Sequence, residues 1–190
     1  MDRKVDRRVV KTKRAIREAF IALMVEKDVE KITIKEIAEK ADVDRKTVYN
    51  YYSGIHEIRE DLENEVLHIF ERETQGSSLG LTDADSAFDL LTKIINDNMQ
   101  ICSQLMRLDY NSNFLVKLIE YFKQKIRQEM IKNERFDPKR IDIAVEYVTS
   151  GLFSAYRYWF NSDRTQPLEE FSREVSRLVL SGLIVYMISI

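Results

Sequence analysis

Residues Thr33 to Tyr52, TIKEIAEKADVDRKTVYNYY, decide how the chain is read. Ile34, Ile37, Ala38 and Ala41 fall at i, i+3, i+4 and i+7, the spacing that gives a helix one apolar face. Thr33, followed three residues later by Glu36, makes a capping box. Its hydroxyl accepts from an amide of the first turn while the carboxylate reaches back to the amide of Thr33. Asp42 stands where the chain must turn sharply, a place for residues that tolerate a left-handed backbone, and Asp44 is placed to cap a second helix. Val43, Val48 and Tyr52 hold that helix down, leaving Arg45, Lys46, Tyr49 and Asn50 on its other face, all able to donate to phosphates or base edges. Two short amphipathic helices joined by about four residues are the pattern of a helix-turn-helix. A plain surface hairpin of helices satisfies the same spacing, so the pair alone leaves both readings open.

The rest of the chain narrows the choice. At 190 residues, 44% hydrophobic and 33% charged, it has the composition of a folded globular protein. Five Gly and two Pro leave little turn chemistry, and the long stretches of 3.6-residue periodicity predict an all-α fold of about nine helices. A single cysteine, Cys102, excludes an internal disulfide framework and fits a reducing, cytoplasmic setting. With two His, one Cys and no Gly-rich phosphate loop, no enzyme, metal or cofactor is expected. The basic N-terminus lacks the apolar core of a signal peptide. Leu178 to Ile190, interrupted by Ser181 and Gly182, is shorter than the ~20 residues that span a bilayer, so no membrane partner is expected.

The net charge of −2 hides an asymmetry. Met1 to Tyr52 holds 14 basic against 10 acidic residues, and Met1 to Arg14 holds seven against two. Such a patch attracts polyanions through counterion release, although a basic tail left simply in solvent has the same composition.

In order, the first helix spans about residues 5 to 27, with Ile16, Phe20 and Leu23 turned inward and Arg7, Arg8, Lys11, Lys13 and Arg14 toward a polyanion. The second spans about Ile34 to Lys40 and the third about Arg45 to Tyr51. A fourth, starting at Ser53 or Gly54 and repeating through Ile55, Ile58, Leu62, Val66 and Phe70, is about five turns long. Gln75 to Thr82, QGSSLGLT, reads as a linker. Thr82 or Asp83 caps a fifth helix through Ile95, Met99 to Arg107 form a sixth, and Asp109 to Asn113 turn into a seventh that ends near Asn133. Asp137 and Pro138 open an eighth to about residue 160, and Pro167 opens the last. The last two are apolar over most of their circumference, more than one small core can cover.

Preceded by the long basic helix and followed by another, TVYNYYSGIHEIRE resembles the start of TetR-family transcriptional regulators. Their motif reads Ser-x-x-Thr-hydrophobic-Tyr-x-His/Tyr-Phe, then a short cap and Lys-Glu-x-Leu, and Thr47, Val48, Tyr49, Tyr51, Tyr52, Glu57 and Ile58 follow it in order. Asp42 stands where Gly or Asn is common, Asp44 replaces Ser, and Ile55 replaces the Lys that often touches phosphate, a role neighbouring His56 can take. The resemblance implies a helix-turn-helix domain over residues 1–54 and an effector-binding and dimerisation domain over 55–190. It implies a double-stranded DNA operator bound by a homodimer, with Arg45, Lys46, Tyr49 and Asn50 on bases or phosphates, Thr33, Thr47 and Tyr51 on phosphate, and Arg7, Arg8 and Lys11 giving non-specific affinity. It further implies a small apolar or aromatic effector among Phe88, Met99, Cys102, Met106, Phe114, Phe122, Tyr147 and Tyr156, with Asn98, Arg107 and Arg157 as polar candidates. Plain core packing explains each of those residues equally well. Gly151, Leu152, Trp159, Val175, Leu178, Val179 and Tyr186 are the residues expected between subunits. A helical adaptor that binds a protein partner, its DNA contacts weakened by Asp42, Asp44 and Ile55, is the other reading.

Overall fold

The structure is a computed structural model that describes residues 7–77, 84–106, 113–132 and 136–188. The described residues form nine α-helices and one 3-10 turn and contain no strand. The expected caps of residues 82–83, the turn at 109–112, Arg107 and the basic residues before Arg7 lie outside them.

Two units pack separately, Met1–Val66 and Leu67–Ile190. In the first, α1 (Arg7–Glu26) packs on α2 (Ile34–Lys40), which packs on α3 (Arg45–Tyr49). The stripe read from α1 is the buried one: Ile16, Phe20 and Leu23 are buried, as are Ile37, Ala38, Val48, Tyr52 and Ile58 of the same unit. Helix α4 (Ile55–Glu73) starts in this unit and ends in the other.

The second unit is built on α5 (Ala84–Asp97), α6 (Met99–Leu105), α7 (Asn113–Ile131), α8 (Pro138–Asn161) and α9 (Leu168–Ile188). Helix α8 packs on α7 and α9, and α9 also packs on α5. Local chemistry sets the breaks between them. Asn98 separates α5 from α6 by donating its side-chain amide to the Ile94 carbonyl at 2.8 Å. Asp137 caps α8 by accepting from the Lys139 amide at 2.9 Å, with Pro138 in the first turn. A chain of edge-to-face rings, Phe70–Phe122–Phe153, joins the end of α4 to α7 and α8.

Candidate nucleic-acid interface

Helix α2 starts on the expected capping box. The Glu36 amide donates to Thr33 Oγ1 at 3.3 Å, and the Thr33 amide and hydroxyl donate to Glu36 Oε2 at 3.0 and 2.8 Å. Lys27, the residue just past the end of α1, binds the same carboxylate through Oε1, which holds Glu36 down to about 2, with the Thr33 hydrogen bonds adding to the effect.

The turn between α2 and α3 explains Asp42. Its φ is +54°, the left-handed conformation that ends helices. The Val43 amide donates to the Ala38 carbonyl at 3.0 Å and the Asp42 amide to the Glu39 carbonyl at 3.4 Å, the paired bonds of a Schellman ending. Asp44 sits at the cap position of α3, but its side chain caps nothing. Its backbone carbonyl instead receives the Thr47 and Val48 amides at 2.8 and 3.2 Å. The side-chain cap read from sequence is thereby corrected: position alone does not make the bond.

Helix α3 is five residues long, two fewer than the periodicity suggested, with Asn50 as its C-cap. Val48 is fully buried, and Arg45, Lys46, Tyr49 and Asn50 are all exposed. Thr47 and Tyr51 are half-buried. Neither Arg45 nor Lys46 forms an ion pair among the described residues, and the same holds for Arg7 and Lys11, which with Arg8 are exposed on α1. Two further basic residues expected to face a polyanion are committed elsewhere: Lys13 lies 3.7 Å from Asp61 and Arg14 Nε donates to Glu18 at 2.7 Å. His56 is exposed in the first turn of α4.

Two expected phosphate donors meet competition. The single proton of the Thr33 hydroxyl goes to Glu36, so a phosphate there must displace a carboxylate. Thr47 lies in a concave surface lined also by Glu39, Asp42 and Asp44, whose charges oppose an incoming phosphate.

The second unit holds a small, partly open apolar cavity of about 50 Å³ onto which no polar atom opens. Of the residues expected around an effector, Cys102, Met106, Phe122 and Tyr156 line this cavity, together with Phe70, Leu91, Ile95, Phe153 and Phe160. Burial in this setting raises the Cys102 thiol to about 12. The Tyr156 hydroxyl turns away to Ser172 at 2.6 Å, and Ser172 lies 2.7 Å from Thr92. Phe88 and Phe114 are buried elsewhere in the core, and Tyr147 is 60% exposed on the outside of α8 rather than in the cavity.

The residues expected between subunits divide in two. Leu152, Trp159, Val175 and Val179 are buried within the protomer, and Leu152 lines the cavity. Gly151, Leu178 and Tyr186 are exposed. With Ile143, Tyr147 and Tyr158 they compose an apolar face, i, i+4, i+8 and i+15 along α8 and i and i+8 along α9. The outward side of Tyr147, Tyr158 and Ile143 could not be read from periodicity, because a helix apolar all round does not say which side its own protomer covers.

A short exposed cationic helix, held behind a capped helix and a left-handed turn and attached to a separate all-helical unit, defines a helix-turn-helix regulator. The profile described as "Bacterial regulatory proteins, tetR family" matches residues 16–62, and "Transcriptional regulator C-terminal region" (TetR_C_8) matches residues 82–181. The chain belongs to the TetR family of transcriptional regulators. It is 29% identical over 174 residues to the uncharacterized HTH-type transcriptional regulator YxbF of Bacillus subtilis (strain 168), covering 86% of this chain and 43% of that protein. This chain therefore spans under half the length of that relative. Among solved structures, the dihydroxyacetone kinase operon activator DhaS superposes with a TM-score of 0.67 at 19% identity, covering 93% of this chain and 98% of that one. The fatty acid degradation regulator FadR of Bacillus halodurans gives 0.68 at 15%, covering 90% and 96%, and a Clostridium perfringens putative fatty acid metabolism regulator 0.68 at 20%, covering 88% and 97%. At these identities the likeness is one of fold.

Proposed function

We propose that the chain is a homodimeric repressor that binds a palindromic operator and leaves it when a small apolar effector enters the second unit. The observation that carries the DNA-reading part is the outer face of α3: Arg45, Lys46, Tyr49 and Asn50 are exposed together, and neither cation pairs with a carboxylate among the described residues. Arg45 and Lys46 suit guanine or phosphate, and Asn50 suits adenine. The exposed face of α8 and α9 supports pairing of two copies, whose reading helices would then meet half-sites about one helical turn, ~34–36 Å, or a multiple of it apart.

For the effector, the support is the apolar cavity itself. Phe70 belongs to the same helix that begins beside α3, so a ligand in the cavity touches the helix leading to the reading head. The cavity is about a third of the ~150 Å³ that admits benzene, so a ligand must widen it, and it acts only if it binds the widened form better.

The test is selection of duplexes from a random pool by the full chain, followed by mobility shift. A symmetric site bound by the wild type and lost on Arg45→Ala with Lys46→Ala, at unchanged helicity, is the expected result. A folded double variant that retains specific binding would refute the assignment to α3. A wild type that selects no sequence would favour an adaptor that binds protein. A reporter placed behind the selected site then tells repression from activation.

A further inference from the structure

Tyr52 is only 2% exposed, yet it ends in a hydroxyl where the motif it resembles has Phe. A buried hydroxyl must find a partner. Here it donates to Asp61 Oδ2 of α4 at 2.5 Å. The same oxygen accepts from Arg17 Nη1 of α1 at 3.0 Å, and Lys13 Nζ stands 3.7 Å from it and 4.8 Å from the centre of the Tyr52 ring. Arg17 continues to Glu65, one turn further along α4, through Nε at 2.6 Å. Burial pushes the Asp61 carboxyl up, but the Tyr52 and Arg17 hydrogen bonds and the Lys13 charge outweigh it and leave the group below its usual value.

The backbone at this point gives the cluster its leverage. The Tyr52 amide donates to the Val48 carbonyl at 2.9 Å, so Tyr52 closes the last turn of α3. Its side chain therefore ties the rotation of a five-residue helix to α4. A helix this short cannot be held by its own hydrogen bonds. Val48 fixes which face points inward by packing, which tolerates small rotations, whereas a directed bond to a charged oxygen does not.

We propose that Asp61, acting through Tyr52 and Arg17, is the positioning residue that sets the orientation in which α3 presents Arg45, Lys46, Tyr49 and Asn50 to the bases. The inference rests on the DNA-reading function proposed above. Asp61 touches no nucleic acid in this scheme. Losing it misplaces base-reading side chains without removing a phosphate contact.

The test uses the full chain and a duplex it selects from a random pool. Tyr52→Phe, which deletes one oxygen, and Asp61→Asn are each expected to lower the ratio of specific to non-specific affinity about tenfold. The salt dependence of binding should keep its slope, and the double variant should lose little more than either single one. A merely structural role would lower the unfolding midpoint and leave that ratio unchanged in the folded protein, which overturns the proposal. Should Asp61→Asn fail to fold, Tyr52→Phe decides alone. A wild type that selects no sequence removes the DNA-reading function and this role with it, whereas a selective wild type with unaltered variants removes only this role.

Discussion

Gly182 of α9 lies directly against the Tyr147 ring of α8: a Cβ on the glycine would stand 3.5 Å from the tyrosine hydroxyl oxygen. That is ordinary contact distance, so Ala fits and a longer side chain must push the ring aside. The pair sits in the exposed apolar face where Leu178 is 73% accessible. If this face joins two copies, Leu178→Glu places a charge on both sides of the two-fold axis and costs the interface its apolar centre. Light scattering after size exclusion should show a dimer for the wild type and a monomer for Leu178→Glu at the same concentration. A wild type that is monomeric throughout would end the two-subunit reading.

Asp42 adopts a left-handed backbone that L-residues occupy at a cost of roughly 1–2 kcal/mol, a cost glycine avoids but partly returns as chain entropy in the unfolded state. Asp42→Gly should therefore raise stability by about 0.5–1 kcal/mol, seen as a higher denaturant midpoint at constant slope. It also removes one of the three carboxylates around Thr47, so non-specific DNA affinity should rise at low salt. A lower midpoint would mean the carboxylate stabilises this turn in a way its geometry does not reveal.

The turn at Asp42 and the box at Thr33 were both legible because each depends on neighbours within a few residues, and such local chemistry survives in a linear reading. The bounds of α2 and the start of α8 at Asp137 were legible for the same reason. The Asp61 cluster was not. Arg17, Tyr52 and Asp61 share no local spacing, and only the packing of three helices brings them to one oxygen. The sorting of Leu152 and Trp159 to the inside and Tyr147 and Tyr158 to the outside was equally hidden. Periodicity reports that a helix has two apolar sides, and tertiary packing chooses between them. The outward side of α3, with Arg45, Lys46, Tyr49 and Asn50, could be read from its short pattern, while the carboxylates competing for Thr33 and Thr47 became visible only in three dimensions.

Acid should unlock the start of α2. Lys27 and the Thr33 bonds hold Glu36 at about 2, below its ordinary 4.5, so the folded state prefers the carboxylate. A depressed folded value means the stabilisation is complete above 4.5 and fades as pH falls toward 2. The unfolding midpoint of the wild type should drop across that window. Glu36→Gln keeps a side chain able to complete the box but cannot titrate, so its midpoint should start lower and vary less over the same range. Parallel curves for the two proteins would show that other carboxylates govern the acid transition.

Cys102 gives a direct view of the cavity. Desolvation raises its thiol from 9.0 to about 12, which makes the reactive thiolate much scarcer than in an exposed thiol, and the side chain is also buried. Labelling by a disulfide reagent at pH 8 should therefore run at least ~100-fold slower in the native protein than in denaturant. The rate should respond to whatever occupies the cavity that Cys102 shares with Met106, Phe122 and Tyr156. Leu152→Ala, which enlarges that space, should cost about 2–5 kcal/mol and speed labelling. A small apolar compound that restores both the midpoint and the slow rate in this variant would be seated beside the thiol, and its effect on the wild type would then measure how far the native cavity can open. Fast native labelling that no compound alters would place Cys102 on an open surface and remove the apolar site proposed for an effector.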